Sequence, residues 1–241
     1  MEQVEQYARK NSVLKALPHA ELRRLLPNME KVDIEPKQVI YRQGETIEFV
    51  YFPTTVVLSM LLTTSSGETV ELATVGREGF TGVITILSRS KAREHGALTK
   101  VISLLPGNAV RLKSEVFEAA VHASLEVSRC IHQYLHRLFT DLALSVSCNR
   151  LHSLQQRCAR WLLTSVDKSG LSEIAVTQEM LADILGVHRQ SIIQVLNEFE
   201  AKQLVQCERG SIQIQSIQGL AALVCECYHI GRKRLENIHG S

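Results

Sequence analysis

Short runs of β-branched and aromatic residues, separated by glycine, proline and serine, dominate the N-terminal half of the chain. After apolar positions of helical spacing in residues 14–26, these runs recur through residues 31–112, a pattern typical of short strands. A Ser-Gly pair at residues 66–67 gives the clearest hairpin turn. Short strands at near-regular spacing predict an antiparallel β-barrel or jelly roll, which we place with its flanking helices in residues 1–122.

A long helix is predicted after the barrel, because neither glycine nor proline occurs between Lys113 and Ser169. Within this stretch, apolar residues spaced four, three and four positions apart form one stripe along a helix. The stripe can pack against the chain's own barrel or against a second copy of the chain. Because the helix is longer than one small domain needs, we favour a dimerisation helix in residues 123–149. The predicted interface residues are Ile131, Leu135, Leu138 and Leu142.

Two short helices joined by a tight turn are predicted near the C-terminus. Thr177 is a suitable N-cap because its hydroxyl can accept a first-turn N–H, and Gly186 suits the left-handed residue that ends a helix. In the second helix, apolar residues at positions 192, 195, 196 and 199 leave one polar face. Alternating residues around Arg209 and Gly210 predict a hairpin. These features are typical of a winged helix-turn-helix, which we place in residues 150–241 of an α+β protein.

The polar face of the second helix carries side chains suited to the edges of bases. An arginine can donate two hydrogen bonds to guanine, and a glutamine can bind adenine through two. The N-terminus of a helix also attracts phosphate. The same pattern fits an ordinary helical hairpin with a solvated polar face, so spacing alone leaves both interpretations open. The candidate DNA-contacting residues are Thr177, Gln178, His188, Arg189, Gln190, Ser191, Gln194 and Arg209.

The overall charge and hydropathy narrow the class of protein without identifying it. The net charge of +2 is too small to indicate a nucleic-acid partner on its own. No apolar run reaches the roughly 18 residues that span a bilayer, and the polar N-terminus lacks the apolar core of a signal peptide. We therefore expect a cytoplasmic protein with no membrane partner and with reduced cysteines.

Longer sequence motifs coincide with these predicted elements. The chain has Arg-Cys-Ala-Arg-Trp-Leu-Leu at residues 157–163, Thr-Gln-Glu at residues 177–179 and Leu-Gly-Val at residues 185–187. Its N-terminal half has Val-Tyr-Phe-Pro at residues 50–53 and Gly-Arg-Glu-Gly-Phe at residues 76–80. With these motifs the chain resembles the Crp/Fnr family of bacterial transcription regulators over nearly its whole length, more specifically in the C-terminal half.

The resemblance implies a cyclic-nucleotide-binding-like barrel, a homodimer along the long helix and a winged helix-turn-helix that binds double-stranded DNA. It also implies that Arg189 and Gln190 read bases. We therefore expect a sequence-specific transcription regulator that acts on a two-fold symmetric site, with RNA polymerase as a further partner. The alternative is a protein-interaction module with a degenerate helix-turn-helix and a barrel that senses nothing.

The sequence departs from the family where a ligand would bind. Members that bind cyclic AMP use a Gly-Glu pair and an Arg-Ser/Thr pair, whereas the nearest residues here are Gly82-Val83 and His95-Gly96-Ala97-Leu98. Arg93 lies close by but precedes a glutamate. The iron–sulfur members use N-terminal cysteines, and all six cysteines of this chain lie at or after Cys130. We therefore expect no cyclic AMP binding in the usual mode, assign no cofactor, and leave any effector in the barrel unidentified.

Two groups of residues are candidates for metal binding or for catalysis. Cys225 and Cys227, with Cys148 and His152 one helical turn apart, offer four ligands that suit zinc. Reduced cysteines buried in a helix-packing face fit the sequence as well, so we assign no metal. Five other histidines lack partners at motif spacing, and the chain shows no phosphate loop or nucleophile elbow, so we expect no enzyme. These scattered histidines are His19, His95, His122, His132 and His136.

Overall fold

The computed structural model describes residues 2–87 and 96–239, with side chains for residues 3–87 and 96–233. Arg93 and His95, which lie in the segment nearest to the cyclic AMP motif, fall outside the described residues. The chain divides into two compact units. The first consists of Met1–Leu62 and Thr74–Phe139, and the second of Thr63–Ala73 and Thr140–Ser241. The division into residues 1–122, 123–149 and 150–241 stays a prediction.

In the described part of the N-terminal half, three short helices precede seven strands. The helices are α1 Glu2–Ala8, α2 Ser12–Ala16 and α3 His19–Leu25, followed by a 3₁₀ turn at Leu26–Asn28. The strands are β1 Met29–Ile34, β2 Val39–Tyr41, β3 Phe49–Pro53, β4 Val57–Thr63, β5 Thr69–Val75, β6 Lys100–Leu105 and β7 Gly107–Lys113. A short helix, α4 Ile84–Leu87, follows β5.

The seven strands form two antiparallel sheets, ordered β1-β7-β3 and β2-β6-β4-β5. The predicted fold class is confirmed, but among the described residues the two sheets remain separate and do not close into a barrel. Inward-facing residues of both sheets, including Ile34, Leu58 and Val101, form an apolar core between them. A second core joins the first helices to the strands, and within it Phe80 packs against Phe52 and Phe117 with ring centroids 5.3 Å from each.

The uninterrupted segment after the sheets contains three helices: α5 Ser114–Ala123, α6 Leu125–Leu151 and α7 Leu154–Ser169. The breaks lie at Ser124, whose backbone is extended, and at His152–Ser153. The second break has a local cause, because Ser153 and Gln156 form a capping box that starts α7. No helix among the described residues has the length and apolar character needed to cross a bilayer.

The second unit contains the predicted winged helix-turn-helix. After α7 come β8 Glu173–Ile174, α8 Gln178–Leu185, α9 Arg189–Ala201, β9 Val205–Glu208 and β10 Ser211–Ile214. The three strands form one antiparallel sheet in the order β8-β10-β9. Two helices, α10 Ile217–Ala221 and α11 Glu226–His239, complete the unit.

The buried side chain of Asn11 connects several parts of the first unit by hydrogen bonds. It is fully buried, its amide nitrogen donates to the carbonyls of Pro53 and Gly79 at 2.9 and 2.8 Å, and its oxygen accepts the N–H groups of Val13 and Leu14. One residue thus caps α2 and ties it to the end of β3 and to the loop that follows β5.

We expect Asn11→Ala to lower the free energy of unfolding by roughly 2–4 kcal/mol, because it leaves buried carbonyls and amides without partners. Lys15→Ala on the exposed side of the same helix is the control and should change stability by less than about 0.5 kcal/mol. Urea unfolding followed by circular dichroism measures both variants. Equal stability of the two would show that the hydrogen bonds of Asn11 contribute nothing.

Candidate nucleic-acid interface

The turn between α8 and α9 is fixed by residues at its two ends. The hydroxyl of Thr177 accepts the N–H of Met180 at 3.1 Å and caps the start of α8. Gly186 ends α8 in the left-handed conformation, with φ 60° and ψ 47°, and its N–H donates to the last turn of the helix. These local interactions set the direction in which α9 leaves the turn.

One face of α9 packs into the core of the second unit. Ile192, Leu196 and Phe199 are fully buried, and Val195 is 8% exposed. Because these four positions recur at helical spacing, burying them turns the opposite face toward solvent. The polar side chains at the start of the helix are therefore the ones left available to a partner.

The predicted DNA-contacting residues lie at the start of α8, at the start of α9 and in the turn of the β9–β10 hairpin. His188, Arg189, Gln190 and Gln194 are exposed, whereas Ser191 is partly buried. Thr177 and Gln178, at the start of α8, are also partly buried. Arg209 is exposed in the turn between β9 and β10, and Gly210 beside it has φ 96°. The assignment of these eight residues to DNA contact stays a prediction.

The electrostatics of α9 differ between its two ends. No acidic residue lies in its first turn, and no side chain among the described residues caps its N-terminus. Its acidic residues lie further along and have partners: Glu198 accepts from Gln155 at 3.1 Å, and Glu200 accepts the backbone N–H of Cys207 at 2.7 Å. The N-terminal end of α9 therefore combines an uncapped helix dipole with Arg189, which favours an anionic partner.

Arg157 holds the helix-turn-helix to the end of the long helix, a role that the sequence did not predict. Its guanidinium donates to the side chain of Asn149 at 3.1 Å and to the carbonyl of Leu185, the last residue of α8. Half-burial lowers the pKa of this guanidinium, although the group remains charged. The sequence signal was the presence of Arg157 in a family motif, which indicates that the residue matters without saying what it touches.

A second unpredicted contact lies within the same unit. The indole N–H of Trp161, which is 3% exposed, donates to the carboxylate of Glu71 at 2.8 Å. Glu71 is 90 residues earlier in the chain and belongs to a predicted strand. No local pattern could connect the two residues, because the contact depends on the tertiary arrangement of the unit.

The predicted dimer stripe on α6 packs largely against the chain's own core. Ile131 is 1% exposed and lies in the core of its own unit, where Leu138 packs beside it. The large apolar side chains that α6 exposes at its middle are instead Phe139, at 72%, and Val146, at 71%. The chain's own core thus accounts for most of the stripe, because Leu135 also packs against it and Leu142 is partly buried.

We expect Gly186→Ala to cost about 1–2 kcal/mol of stability, because an L-residue is strained in the left-handed conformation. Gly231→Ala in α11 is the matched control: its backbone is helical and an added methyl group meets nothing within 4 Å, so the change should be neutral or stabilising. The fluorescence of Trp161, the only tryptophan, reports unfolding of this unit in urea. A Gly186→Ala variant as stable as wild type would contradict the turn geometry.

Comparison with known proteins identifies one domain in this unit. Residues 156–223 match the family model described as a Crp-like helix-turn-helix domain. A search of curated protein sequences gave no match. The second unit therefore contains a helix-turn-helix domain of the Crp type.

Solved structures extend the similarity over most of the chain. A transcriptional regulator of the Crp/Fnr family from Eubacterium rectale is 18% identical, with a TM-score of 0.71 over 89% of this chain and 98% of its own. FixK2 from Bradyrhizobium japonicum is 15% identical, with a TM-score of 0.64 over 82% and 98%. The regulator CLP from Xanthomonas campestris is 14% identical, with a TM-score of 0.66 over 83% and 100%. The chain thus carries a segment that matches the Crp-like helix-turn-helix domain, and its fold is similar to that of these transcriptional regulators.

Proposed function

We propose that this protein is a sequence-specific DNA-binding transcription regulator that acts in the bacterial cytoplasm as a homodimer on a two-fold symmetric site. The observation that carries the proposal is the start of α9, where exposed polar side chains surround an uncapped helix N-terminus while the opposite face is buried. The matched Crp-like helix-turn-helix domain supports the same conclusion.

Direct base reading is assigned to the first turns of α9. Arg189 and Gln190 extend from the end that enters the major groove in this class of domain, and Gln194 lies about one turn further along. Arginine distinguishes guanine, and glutamine distinguishes adenine, by paired hydrogen bonds. Thr177, Gln178, His188 and Ser191 surround these positions and are assigned to phosphate and sugar contacts, which set the register of the protein on DNA.

In a homodimer formed along α6, a two-fold axis would relate the two copies of α9, the recognition helix. Phe139 and Val146 are exposed, and with the partly buried Leu135 and Leu142 they keep a spacing of four, three and four residues, the spacing of a two-helix interface. Two large apolar side chains that are more than two-thirds exposed in the single chain are better accommodated by a partner than by water. Dimerisation in this register leaves Ile131 and Leu138 in their own core.

An effector that controls DNA binding would act through the N-terminal sheets, and its identity is left open. The Xanthomonas campestris regulator is described as responsive to cyclic di-GMP, but the core between the sheets of this chain is apolar in its described part. A phosphate-bearing effector would therefore have to contact residues outside that core, because a buried phosphate needs charged or N–H-rich partners. RNA polymerase is proposed as a partner on the resemblance alone.

We expect Arg189→Ala to weaken binding to a selected site by about 1–3 kcal/mol per half-site, which is about 2–6 kcal/mol for a symmetric dimer, through loss of a bidentate guanine contact. Binding to a scrambled sequence should change much less. Fluorescence anisotropy with both duplexes measures the ratio. If Arg189→Ala binds both duplexes as wild type does, the solvated-face interpretation stands and the protein-interaction alternative is favoured.

Arg209→Ala in the wing should behave differently from Arg189→Ala. A phosphate contact carries no sequence information, so its loss should weaken binding to both duplexes alike. It should also reduce the slope of log K against log salt concentration by about one. Repeating the titrations over a series of salt concentrations separates the two roles. A loss confined to the selected site would show that the wing reads bases instead.

We expect the double variant Phe139→Asp, Val146→Asp to be monomeric, because pairing the helices would bury unpaired carboxylates at a cost of several kcal/mol. The matched control places aspartates at the neighbouring exposed polar positions, Gln133→Asp and Ser147→Asp, and should remain dimeric. Light scattering measures the mass of each. A wild-type protein that is monomeric at micromolar concentration would refute the interface.

A further inference from the structure

Three cysteines and one histidine from distant parts of the second unit converge at one point. Cys148 lies in the last turn of α6 and His152 directly follows that helix, while Cys225 precedes α11 and Cys227 lies in its first turn. The three sulfur atoms and one ring nitrogen of these residues all lie within 4.8 Å of one another. Two pairs are closer still: Cys148 Sγ to Cys225 Sγ is 3.5 Å, and Cys227 Sγ to His152 Nδ1 is 3.8 Å.

These separations match the ligand shell of a single tetrahedral metal ion. With Zn–S bonds of about 2.3 Å and a Zn–N bond of about 2.0–2.1 Å, tetrahedral geometry places the ligand atoms roughly 3.5–3.8 Å apart. The observed spread of 3.5–4.8 Å therefore requires only small side-chain adjustments to close around an ion. An iron–sulfur cluster distributes its thiolates over several irons and does not suit four ligands that converge on one point.

The surroundings of the four residues supply what a metal site needs beyond its ligands. The other ring nitrogen of His152, Nε2, lies 3.2 Å from the carboxylate of Glu226, an arrangement that orients a metal-binding histidine and fixes its tautomer. Arg160 lies beside Cys148 and acts on it electrostatically. Three thiolates and Zn²⁺ carry a net charge of −1, which the guanidinium balances. The Nε of Arg160 is buried and has no hydrogen-bond partner among the described residues.

The burial of the cluster indicates a structural site rather than a catalytic one. Cys148, Cys225 and Cys227 are 0%, 2% and 6% exposed, and the side chain of His152 is 12% exposed. A catalytic zinc keeps a position open to water, whereas a structural zinc is enclosed by four protein ligands. All four residues lie outside the segment 156–223 that matches the family domain, so the similarity to that domain does not account for them.

The geometry points to a structural zinc site of the Cys₃His type, formed by Cys148, His152, Cys225 and Cys227. The ion would join the end of α6 to the start of α11, two elements separated by the whole winged helix-turn-helix in the sequence. In the described part of the unit, α11 has a further anchor nearby, where the hydroxyl of Tyr228 donates to Asp167 of α7 at 2.8 Å. The proposal is independent of what the protein binds through α9.

The first test measures the metal content of the full-length protein purified under reducing conditions without added chelator. Elemental analysis should find about one zinc per chain, and replacement by Co²⁺ should give the visible absorption of a tetrahedral, thiolate-rich cobalt site. Cys148→Ser, Cys225→Ser and Cys227→Ser should each lose most of the bound metal. Cys207→Ser and Cys130→Ser, which change cysteines outside the cluster, are the controls and should retain about one zinc per chain.

Two further variants separate metal binding from a general effect on folding. His152→Ala should lose the metal, whereas His152→Cys should retain it by forming a four-thiolate site. Glu226→Gln should keep one site per chain but lower the affinity for Zn²⁺ about 10–100-fold, because it removes the partner of the ligating histidine. Competition with a chromophoric chelator measures these affinities, and circular dichroism confirms that each variant is folded.

Several results would overturn the assignment. Wild-type protein that contains no metal and does not take up Zn²⁺ or Co²⁺ in the reduced state would show that the residues are a packed group of thiols. A Cys148–Cys225 disulfide in reducing cytoplasmic extracts, detected by alkylation and mass spectrometry, would replace the metal site with a redox pair. Equal zinc content in the Cys207→Ser control and the Cys225→Ser variant would show that the bound metal lies elsewhere.

Discussion

The burial of one face of α9 is the constraint from which the proposed function follows. Ile192, Val195, Leu196 and Phe199 complete the core of the second unit, and a helix that buries these positions can present only one other face. Gly186 makes this packing attainable, because a left-handed residue lets α8 end where α9 must begin. The polar residues at the start of α9 are therefore exposed by the same packing that makes the unit stable.

The second unit is also held together by polar contacts around that core. Arg157 connects the end of α8 to Asn149 near the end of the long helix, and Trp161 binds Glu71 through its indole nitrogen. The cysteine–histidine cluster adds a third connection, between the long helix and α11. Each contact fixes an element that flanks the helix-turn-helix, so the orientation of α9 within its unit depends on residues outside the predicted DNA-contacting set.

The parts of the fold that could be predicted are those encoded by neighbouring residues. The winged helix-turn-helix was predictable because Thr177, Gly186 and the apolar repeat of α9 act within a few residues of one another. The strands of the N-terminal half were recognisable for the same reason. The grouping of those strands into two separate sheets was not, because strand order depends on pairings such as β1 with β7 across about 80 residues.

The candidate sites were likewise predictable only where neighbouring residues determine them. A stripe of apolar residues predicts that a helix face is covered but not what covers it, so Ile131 was assigned to a partner although its own unit encloses it. Asn11 gave no sequence signal, since an asparagine before a helix is common and its two distant carbonyl partners are not visible locally. The four residues of the cluster were recognisable as possible ligands, but only the fold shows that they meet.

Selection of bound duplexes from random DNA by the full-length protein tests the central claim most directly. The account predicts enrichment of a two-fold symmetric sequence whose half-site centres lie about 10–10.5 base pairs apart, since two recognition helices related by a dimer axis enter successive major grooves. Recovery of random sequences after repeated rounds, at a salt concentration that suppresses non-specific binding, would contradict the assignment of α9 as a recognition helix.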